Sequence, residues 1–225
     1  THSFTLFPYT TLFRSIFSVV LITVLSSCNQ EPLRVACVGD SITYGHGIAD
    51  RDHDTYPAIL DSLLGNKFNV QNFGVSGTTA LKKSNMPYME EQAYKDALAF
   101  NPDIVTIKLG TNDSKPYNWE NKANFKDDLK FMINSFRELP ANPDIWLCLP
   151  VPAYGNAWNI NDSIIFNEVI PLIREVAKEE GVEVVDLNTP MSNHREYFPD
   201  TIHPNEEGQE KIAGILFEEI FTNYK

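Results

Sequence analysis

The chain has 225 residues, of which 43% are hydrophobic and 21% are charged, and its formal net charge is −12. This composition is that of an ordinary globular protein, which excludes a disordered or fibrous chain. Because nucleic-acid binding draws its affinity from clustered lysine and arginine, the acidic balance also excludes a nucleic-acid partner and suits a neutral substrate.

The first 30 residues differ from the rest of the chain. An apolar run from Ile16 to Leu25 leads directly into the sequence Leu25-Ser26-Ser27-Cys28. A run of this length is too short to span a bilayer but matches the hydrophobic part of a secretory signal. We therefore expect residues 1–30 to be an N-terminal extension and a lipoprotein-type signal segment, and residues 31–225 to be one domain.

The end of this segment resembles a bacterial lipobox. The resemblance implies cleavage before Cys28 and a lipid on its sulfur, so it predicts an exported lipoprotein in the periplasm or at the cell surface. Membrane contact is then expected only through this anchor. The alternative is an ordinary cleaved signal peptide in which Cys28 is incidental. Residues 1–15 carry no initiating methionine and no basic cluster, and we assign them no role in the fold.

Five apolar runs recur downstream, and their length and β-branched content are typical of strands. They cover residues 33–38, 68–73, 104–109, 145–149 and 182–187. Stretches with helical periodicity alternate with them, at about 55–65, 89–100, 122–138, 161–180 and 206–223. The alternation predicts an α/β fold with a mainly parallel sheet covered by helices on both faces.

Ligand sites in parallel sheets open at the carboxyl ends of the strands, so the residues that follow each strand are the first candidates for function. The loop after the first strand begins Gly39-Asp40-Ser41. A serine hydroxyl at this place lies on the floor of the cleft, next to backbone N–H groups that follow it. Alternatively, Ser41 is only the N-cap of a helix.

The loops after the second and third strands offer further hydrogen-bond donors. Gly74 can present an unhindered backbone N–H group, and Asn112, within Gly110-Thr111-Asn112-Asp113, can present a side-chain amide. Such donors stabilise the oxyanion of a tetrahedral intermediate. Taken alone, each of these residues is equally typical of an ordinary turn.

The last loop holds Asp200-Thr201-Ile202-His203 just before the final helix. An aspartate three residues ahead of a histidine can accept a hydrogen bond from its Nδ1–H and leave Nε2 to face a serine. We expect this spacing to set His203 apart from the other histidines. No further ligand lies at metal-binding spacing, so the sequence predicts no metal site.

Together these motifs resemble the ordered blocks of the SGNH (GDSL-like) hydrolases: Gly-Asp-Ser, a glycine, Gly-Thr-Asn-Asp and Asp-Xaa-Xaa-His-Pro, each at a predicted strand end or before the last helix. The resemblance covers about residues 33–221. It implies a three-layer α/β/α flavodoxin-like fold with a five-stranded parallel sheet in the order 2-1-3-4-5. That order agrees with the alternation of strands and helices.

The resemblance also implies the roles of the site residues. Ser41 corresponds to the nucleophile, His203 to the general base and acid, and Asp200 to the residue that orients the histidine. The backbone N–H groups of Ser41 and Gly74 and the side chain of Asn112 correspond to the oxyanion donors. No metal or organic cofactor is required for this chemistry.

The predicted strand order sets the distance between two of the cysteines. Cys37 and Cys148 lie on the first and fourth strands, which the third strand separates, so their Cα atoms are expected about 10 Å apart. This exceeds the limit of roughly 7 Å for a disulfide. The sequence therefore predicts two buried free thiols.

Two other motifs are assigned no catalytic role. The sequence Gly74-Val75-Ser76-Gly77-Thr78 lacks the final glycine of a Gly-Xaa-Ser-Xaa-Gly elbow, which disfavours an α/β-hydrolase and leaves Ser76 a structural residue. An acidic cluster could hold a cation, but an exposed charged loop is the favoured interpretation. The cluster consists of Asp50, Asp52, His53 and Asp54.

The predicted cleft loops carry aromatic side chains that suit stacking on sugar rings. They are Tyr44, Tyr88, Tyr117, Trp119, Tyr154 and Trp158. The candidate substrate-binding residues are Asp40, Tyr117, Trp119, Tyr154 and Trp158. Many family members that act on glycans have glycine at the position of Thr201, which leaves the subfamily open.

These features predict a serine esterase acting on a small-molecule or glycan ester. The leading hypothesis is a carbohydrate O-acetylesterase that removes acetyl groups from polysaccharides or oligosaccharides. The alternatives are a lysophospholipase or thioesterase of the same family, and a catalytically silent glycan-binding lipoprotein. The sequence does not indicate the oligomeric state.

Overall fold

The computed structural model of the protein describes residues 1–3 and 31–224. Residues 31–225 form one compact unit of their own. Cys28 and the predicted signal segment lie outside the described residues. Within the described part, no helix is both long enough and apolar enough to cross a bilayer.

The strands form one five-stranded sheet within residues 31–224. They are β1 (Leu33–Gly39), β2 (Phe68–Gly74), β3 (Ile104–Lys108), β4 (Asp144–Cys148) and β5 (Glu183–Val185). All neighbouring pairs are parallel, and the order is β2-β1-β3-β4-β5. The predicted fold class and strand order are confirmed.

Helices connect these strands. They are α1 (Ser41–Tyr44), α2 (Arg51–Asp54), α3 (Tyr56–Leu64), α4 (Gln92–Ala99), α5 (Pro116–Trp119), α6 (Phe125–Arg137), α7 (Asp162–Ile164), α8 (Ile170–Glu180), α9 (Asn188–Met191) and α10 (Glu206–Asn223). Single 3₁₀ turns cover Gly65–Lys67, Tyr88–Glu90, Asn112–Ser114, Lys122–Asn124, Ala157–Asn159 and Arg195–Tyr197.

The helix predicted over 161–180 is interrupted in the structure. A π-helical segment, Ile165–Val169, separates α7 from α8. Pro171 stands in the first turn of α8 and has no N–H group to donate to the preceding turn. A π segment accommodates this missing hydrogen bond without ending the helix. The short helices α2, α5 and α9 were not predicted, because a single turn leaves no periodic pattern in the sequence.

The two faces of the sheet pack into two separate apolar layers. Side chains that alternate along β1, β3 and β4 point to opposite faces, as the pleat requires. Val38, Val105 and Leu147 pack in one layer with α4, α6 and α8, while Val35 and Trp146 pack in the other with α3 and α10. Helices on both faces confirm the three-layer arrangement.

Cys37 and Cys148 are both free and buried, as predicted. They lie on β1 and β4, with β3 between them. Burial raises the pKa of the Cys37 thiol to about 12, and it raises that of Cys148 as well. Neither sulfur is therefore a thiolate near neutral pH, which makes both of them packing groups.

Candidate active site

The turn from β1 into α1 presents Ser41. Asp40 is the N-cap of α1, and its Oδ1 accepts a hydrogen bond of 3.0 Å from the Ile42 N–H. Such a cap satisfies a donor that the first helical turn leaves unpaired. Ser41 is consequently the first helical residue rather than the cap, and its hydroxyl is free to face the cleft.

A buried lysine, Lys108, holds the Asp40 carboxylate in place. The Lys108 Nζ donates to the two carboxylate oxygens of Asp40 at 3.0 and 3.1 Å, and to the Thr111 hydroxyl at 3.2 Å. Both charged side chains are fully buried. The prediction that Asp40 binds substrate is therefore wrong, because its carboxylate points into the protein and is used by Lys108 and the cap.

His203 connects the serine to Asp200. The His203 Nε2 lies 2.9 Å from the Ser41 Oγ, and its Nδ1 lies 2.7 Å from the Asp200 Oδ2. The other carboxylate oxygen of Asp200 accepts from the backbone N–H groups of Ile202 and His203, at 2.9 and 2.7 Å. The three side chains thus form one hydrogen-bonded series, with the aspartate fixed by its own loop.

Thr201, between the aspartate and the histidine, has a positive φ of 78°. Glycine adopts this left-handed conformation without strain, whereas a β-branched residue does not. The structure thus gives a physical reason for glycine to be favoured at this position of the motif. It also shows that the chain reaches the same turn with a threonine.

Burial controls the protonation of His203. Removal from solvent lowers the pKa of His203, while the hydrogen bond and charge of Asp200 act in the opposite direction. Asp50 and His53 share the spacing of Asp200 and His203, and their side chains also meet, at 3.0 Å. The expectation that this spacing singles out His203 is therefore wrong. The exposed His53 has its pKa raised by Asp50, so the two histidines differ in environment rather than in spacing.

Gly74 does not lie at the cleft, where the sequence predicted an oxyanion donor. Its N–H group donates to the Asn72 side chain at 2.9 Å, and it does not line the cleft. A Cβ at this position would lie 2.2 Å from the Tyr44 nitrogen, so glycine is needed for the close approach of α1. The prediction that Gly74 is an oxyanion donor is wrong, because its only N–H group is already bonded away from Ser41.

Gly77, three residues further on, does line the cleft. Its φ of 88° lies in the left-handed region, which favours glycine. Its N–H group finds no acceptor within residues 31–224. The neighbouring wall is formed by Asn112, which is buried and donates one amide hydrogen to the Thr78 carbonyl at 3.1 Å. The second amide hydrogen of Asn112 remains available to a ligand.

Asp113 connects the loop that carries Gly77 with the loop that carries Asn112. Its carboxylate accepts from the N–H groups of Ala80 and Leu81 at 3.1 and 2.9 Å, which joins the loop after β2 to the loop after β3. Burial raises the pKa of Asp113 to about 6, although both hydrogen bonds oppose the shift. The residue that follows Asn112 is thus a structural bridge behind the cleft.

The cleft above Ser41 encloses about 190 Å³. Trp158 forms one wall, with its ring centroid 5.0 Å from that of His203 and with half of its surface exposed. Its backbone has a φ of 53°, which is uncommon for a bulky residue and is typical of functional loops. Of the five candidate substrate-binding residues, the structure brings Trp158 alone to the cleft.

The other aromatic candidates lie elsewhere. Trp119 is buried, packs on Phe125 and donates its indole N–H to Glu168 at 2.9 Å. Tyr154 packs on Phe198, and its hydroxyl donates to a backbone carbonyl. Tyr117 is about half exposed but does not line the cleft. The predicted binding roles of Trp119 and Tyr154 are wrong, because packing and hydrogen bonds within the protein already occupy these rings. The role of the exposed Tyr117 stays a prediction.

Several cleft residues were missed from the sequence. His46 lies with its ring centroid 4.3 Å from that of His203, and Lys115 lines the cleft although it is almost fully buried. Ser76 also lines the cleft, and its buried Oγ has no hydrogen-bond partner in the described part of the chain. Only the position of these residues on strand-end loops could have indicated them.

A possible set of metal ligands is found at this place, where none was predicted. Ligand atoms of His46, Asp200 and His203 lie within 4.8 Å of one another. Asp200 and His203 are already hydrogen-bonded to each other, and His203 also meets Ser41. The set therefore overlaps the hydrogen-bonded series rather than forming a separate centre.

A serine, a histidine and an aspartate joined in this order at the carboxyl edge of a parallel sheet have the geometry of a serine hydrolase. Comparison with known proteins agrees with this class. Residues 37–211 match the GDSL-like Lipase/Acylhydrolase family, and the chain belongs to that family.

Individual relatives were also found. The chain is 47% identical over 205 residues to an acetylxylan esterase from Xylanibacter ruminicola; the match covers 83% of this chain but only 43% of that protein. It is 26% identical to an arylesterase from Vibrio mimicus, over 91% of this chain and 96% of that one. The solved structure of the native M. smegmatis aryl esterase superposes with a TM-score of 0.66 at 18% identity, covering 84% and 99% of the two chains.

The buried ion pair can be tested by a cycle of variants. Asp40→Asn leaves Lys108 buried without a charged partner, so we expect the free energy of unfolding to fall by about 3–5 kcal/mol. Adding Lys108→Met removes the unpaired charge and should recover a large part of this loss. Urea unfolding of the single and double variants measures both effects.

A matched control is Lys122→Met, which breaks the exposed ion pair with Glu168. Exposed pairs contribute at most about 1 kcal/mol. An equal loss in Lys122→Met and Asp40→Asn would contradict the importance assigned to the buried pair.

Proposed function

We propose that the protein is a serine esterase that hydrolyses carboxylic esters through an acyl-enzyme on Ser41, and that its substrates are O-acetylated carbohydrates. The observation that carries the proposal is the series Ser41–His203–Asp200, with contacts of 2.9 and 2.7 Å, in an open cleft. Family membership supports the same chemistry.

In the first half of the reaction, the Ser41 Oγ attacks the ester carbonyl carbon while the His203 Nε2 accepts the hydroxyl proton. The bond to the alcohol oxygen then breaks, and His203 returns the proton to the leaving alcohol. In the second half, His203 takes a proton from water, which attacks the acyl-serine and releases the acid. Asp200 keeps the imidazole oriented and stabilises its protonated form.

The oxyanion is proposed to bind between three donors. They are the N–H of Ser41, the N–H of Gly77 in place of Gly74, and the second amide hydrogen of Asn112. Within the described residues, no acceptor occupies the N–H group of Ser41 or of Gly77. Preorganised donors of this kind typically contribute about 10²–10³ each to the rate.

The size and surroundings of the cleft support a small acyl group on a sugar. Its volume of about 190 Å³ is below the roughly 300–1,000 Å³ of common ligand pockets, which favours acetyl over long acyl chains. The half-exposed ring of Trp158 offers a face for a sugar at the cleft entrance. The 47% identity to an acetylxylan esterase points to the same class of substrate.

The proposal that the protein is exported rests on its amino-acid sequence. The sequence Leu25-Ser26-Ser27-Cys28 after an apolar run supports a lipid-anchored protein outside the cytoplasm. Metabolic labelling with a radioactive fatty acid tests this, since a lipoprotein loses the label in the variant Cys28→Ala, and an unlabelled wild type would contradict it.

The substrate class can be tested with nitrophenyl acetate, butyrate and octanoate and with acetylated xylan. We expect acetate to be the preferred nitrophenyl ester and xylan to release acetate. In Ser41→Ala, kcat should fall by at least about 10⁴-fold, because the nucleophile is lost. Ser76→Ala is the matched control, since Ser76 lines the same cleft, and it should keep its activity within several-fold.

Preference for octanoate would contradict the acetyl specificity and favour lipid or thioester substrates. Absence of Ser41-dependent turnover on every ester would contradict the esterase itself and favour a glycan-binding protein.

The dependence of kcat/KM on pH should follow the neutral form of His203. Since burial lowers the pKa of His203 below the usual 6.5, the base stays neutral to lower pH, and the acid limb should have its midpoint below 6.5. Asp200→Asn removes the group that raises this pKa, so the midpoint should fall further while kcat drops by about 10⁴-fold. A wild-type midpoint above 6.5 would contradict the assignment of His203.

A further inference from the structure

Lys115 is an unusual lysine in the cleft. The residue is only 7% exposed, yet it lines the same small cavity as Ser41, Gly77 and Asn112. Within residues 31–224, its Nζ forms neither an ion pair nor a hydrogen bond. Lys108, the other buried lysine near the site, has its charge matched by Asp40.

The backbone holds Lys115 firmly in place. Its N–H group donates to the Asn112 carbonyl at 3.3 Å, and its carbonyl accepts from the N–H groups of Asn118 and Trp119, both at 2.9 Å. Lys115 therefore belongs to the same turn as the oxyanion donor Asn112 and to the start of α5. The residue lines the cleft from this fixed turn.

A mostly buried cation with no opposite charge in contact loses part of its hydration without compensation, which is energetically unfavourable. Burial lowers the pKa of Lys115, and the carboxylates of Asp40 and Asp113 oppose this from a distance. Both carboxylates already have closer partners, in Lys108 and in the backbone of residues 80 and 81. The arrangement is typical of a site that receives its negative charge from the bound ligand.

The esterase reaction proposed above generates such a charge at this place. We propose that Lys115 is a further catalytic residue, whose ammonium group stabilises the negative charge that develops on the substrate carbonyl oxygen when Ser41 attacks. This rests on the proposed esterase function. A permanently anionic substrate is the less favoured partner, because the net charge of −12 repels it.

The role predicts a distinctive kinetic effect. The carbonyl of the bound ester is neutral and its oxygen becomes charged only towards the transition state, so the cation acts on kcat rather than on KM. At a group that is shielded from bulk solvent, as the 7% exposed Lys115 is, the interaction is stronger than it would be in water.

The test compares Lys115→Met and Lys115→Arg in the full chain with nitrophenyl acetate. Lys115→Met should lower kcat by about 10²–10³-fold while KM changes by less than about threefold. Lys115→Arg keeps the charge and should retain much more of kcat. Lys122→Met, which removes an exposed lysine nearby, is the matched control and should leave both constants unchanged.

Two further measurements separate this role from a structural one. Methylboronic acid accepts an electron pair from the Ser41 Oγ to give a tetrahedral anion, while the serine proton moves to His203. Its inhibition constant should therefore rise in Lys115→Met in parallel with the loss of kcat. The urea midpoint of Lys115→Met should be unchanged or higher, because a mostly buried charge with no partner in contact has been removed.

The inference is overturned if wild type and Lys115→Met have equal kcat and equal affinity for methylboronic acid. It is also overturned if kcat for acetate is unchanged and only the KM for nitrophenyl hydrogen succinate rises, since Lys115 would then bind an anionic substrate group. A wild type without Ser41-dependent turnover would instead refute the esterase function itself.

Discussion

The ion pair between Asp40 and Lys108 joins the two strand ends on which the candidate site is built. Lys108 is the last residue of β3, and Asp40 follows β1, so the pair connects neighbouring central strands. Asp40 also caps α1 and thereby positions Ser41, while Lys108 reaches Thr111, next to the proposed oxyanion donor Asn112. Ser41 and the loop that carries Asn112 are thus fixed relative to each other by one buried contact.

Burial also decides what each charged group can do. His203 and His53 both meet an aspartate three residues earlier, but the pKa of the buried histidine is lowered and that of the exposed one is raised. Lys108 and Lys115 are both buried near the site, but only Lys108 has a carboxylate in contact. The same residue types therefore serve structure in one place and are available for chemistry in another. The members of each pair differ in their access to water and in whether an opposite charge lies in contact.

The sequence was sufficient for the fold and for the order of its strands, because apolar runs and strand-end motifs are local signals. It also indicated Ser41, Asn112, Asp200 and His203, which the structure brings to one cleft. It pointed to Gly74 rather than to Gly77, the proposed backbone donor, since both lie in one loop and no local pattern shows which N–H group is already bonded. The binding roles given to buried rings such as Trp119 failed because a sequence does not show which way a side chain packs. Lys115 was missed for the same reason, since its burial depends on residues distant in the chain.

The most direct test of the esterase assignment is covalent labelling with a fluorophosphonate, followed by peptide mass spectrometry. A serine is phosphonylated rapidly only when a base removes its proton and donors stabilise the tetrahedral centre. The assignment predicts a single label on the peptide that contains Ser41, with loss of labelling in His203→Gln. Labelling of Ser76 instead, or labelling of Ser41 that persists without His203, would contradict it.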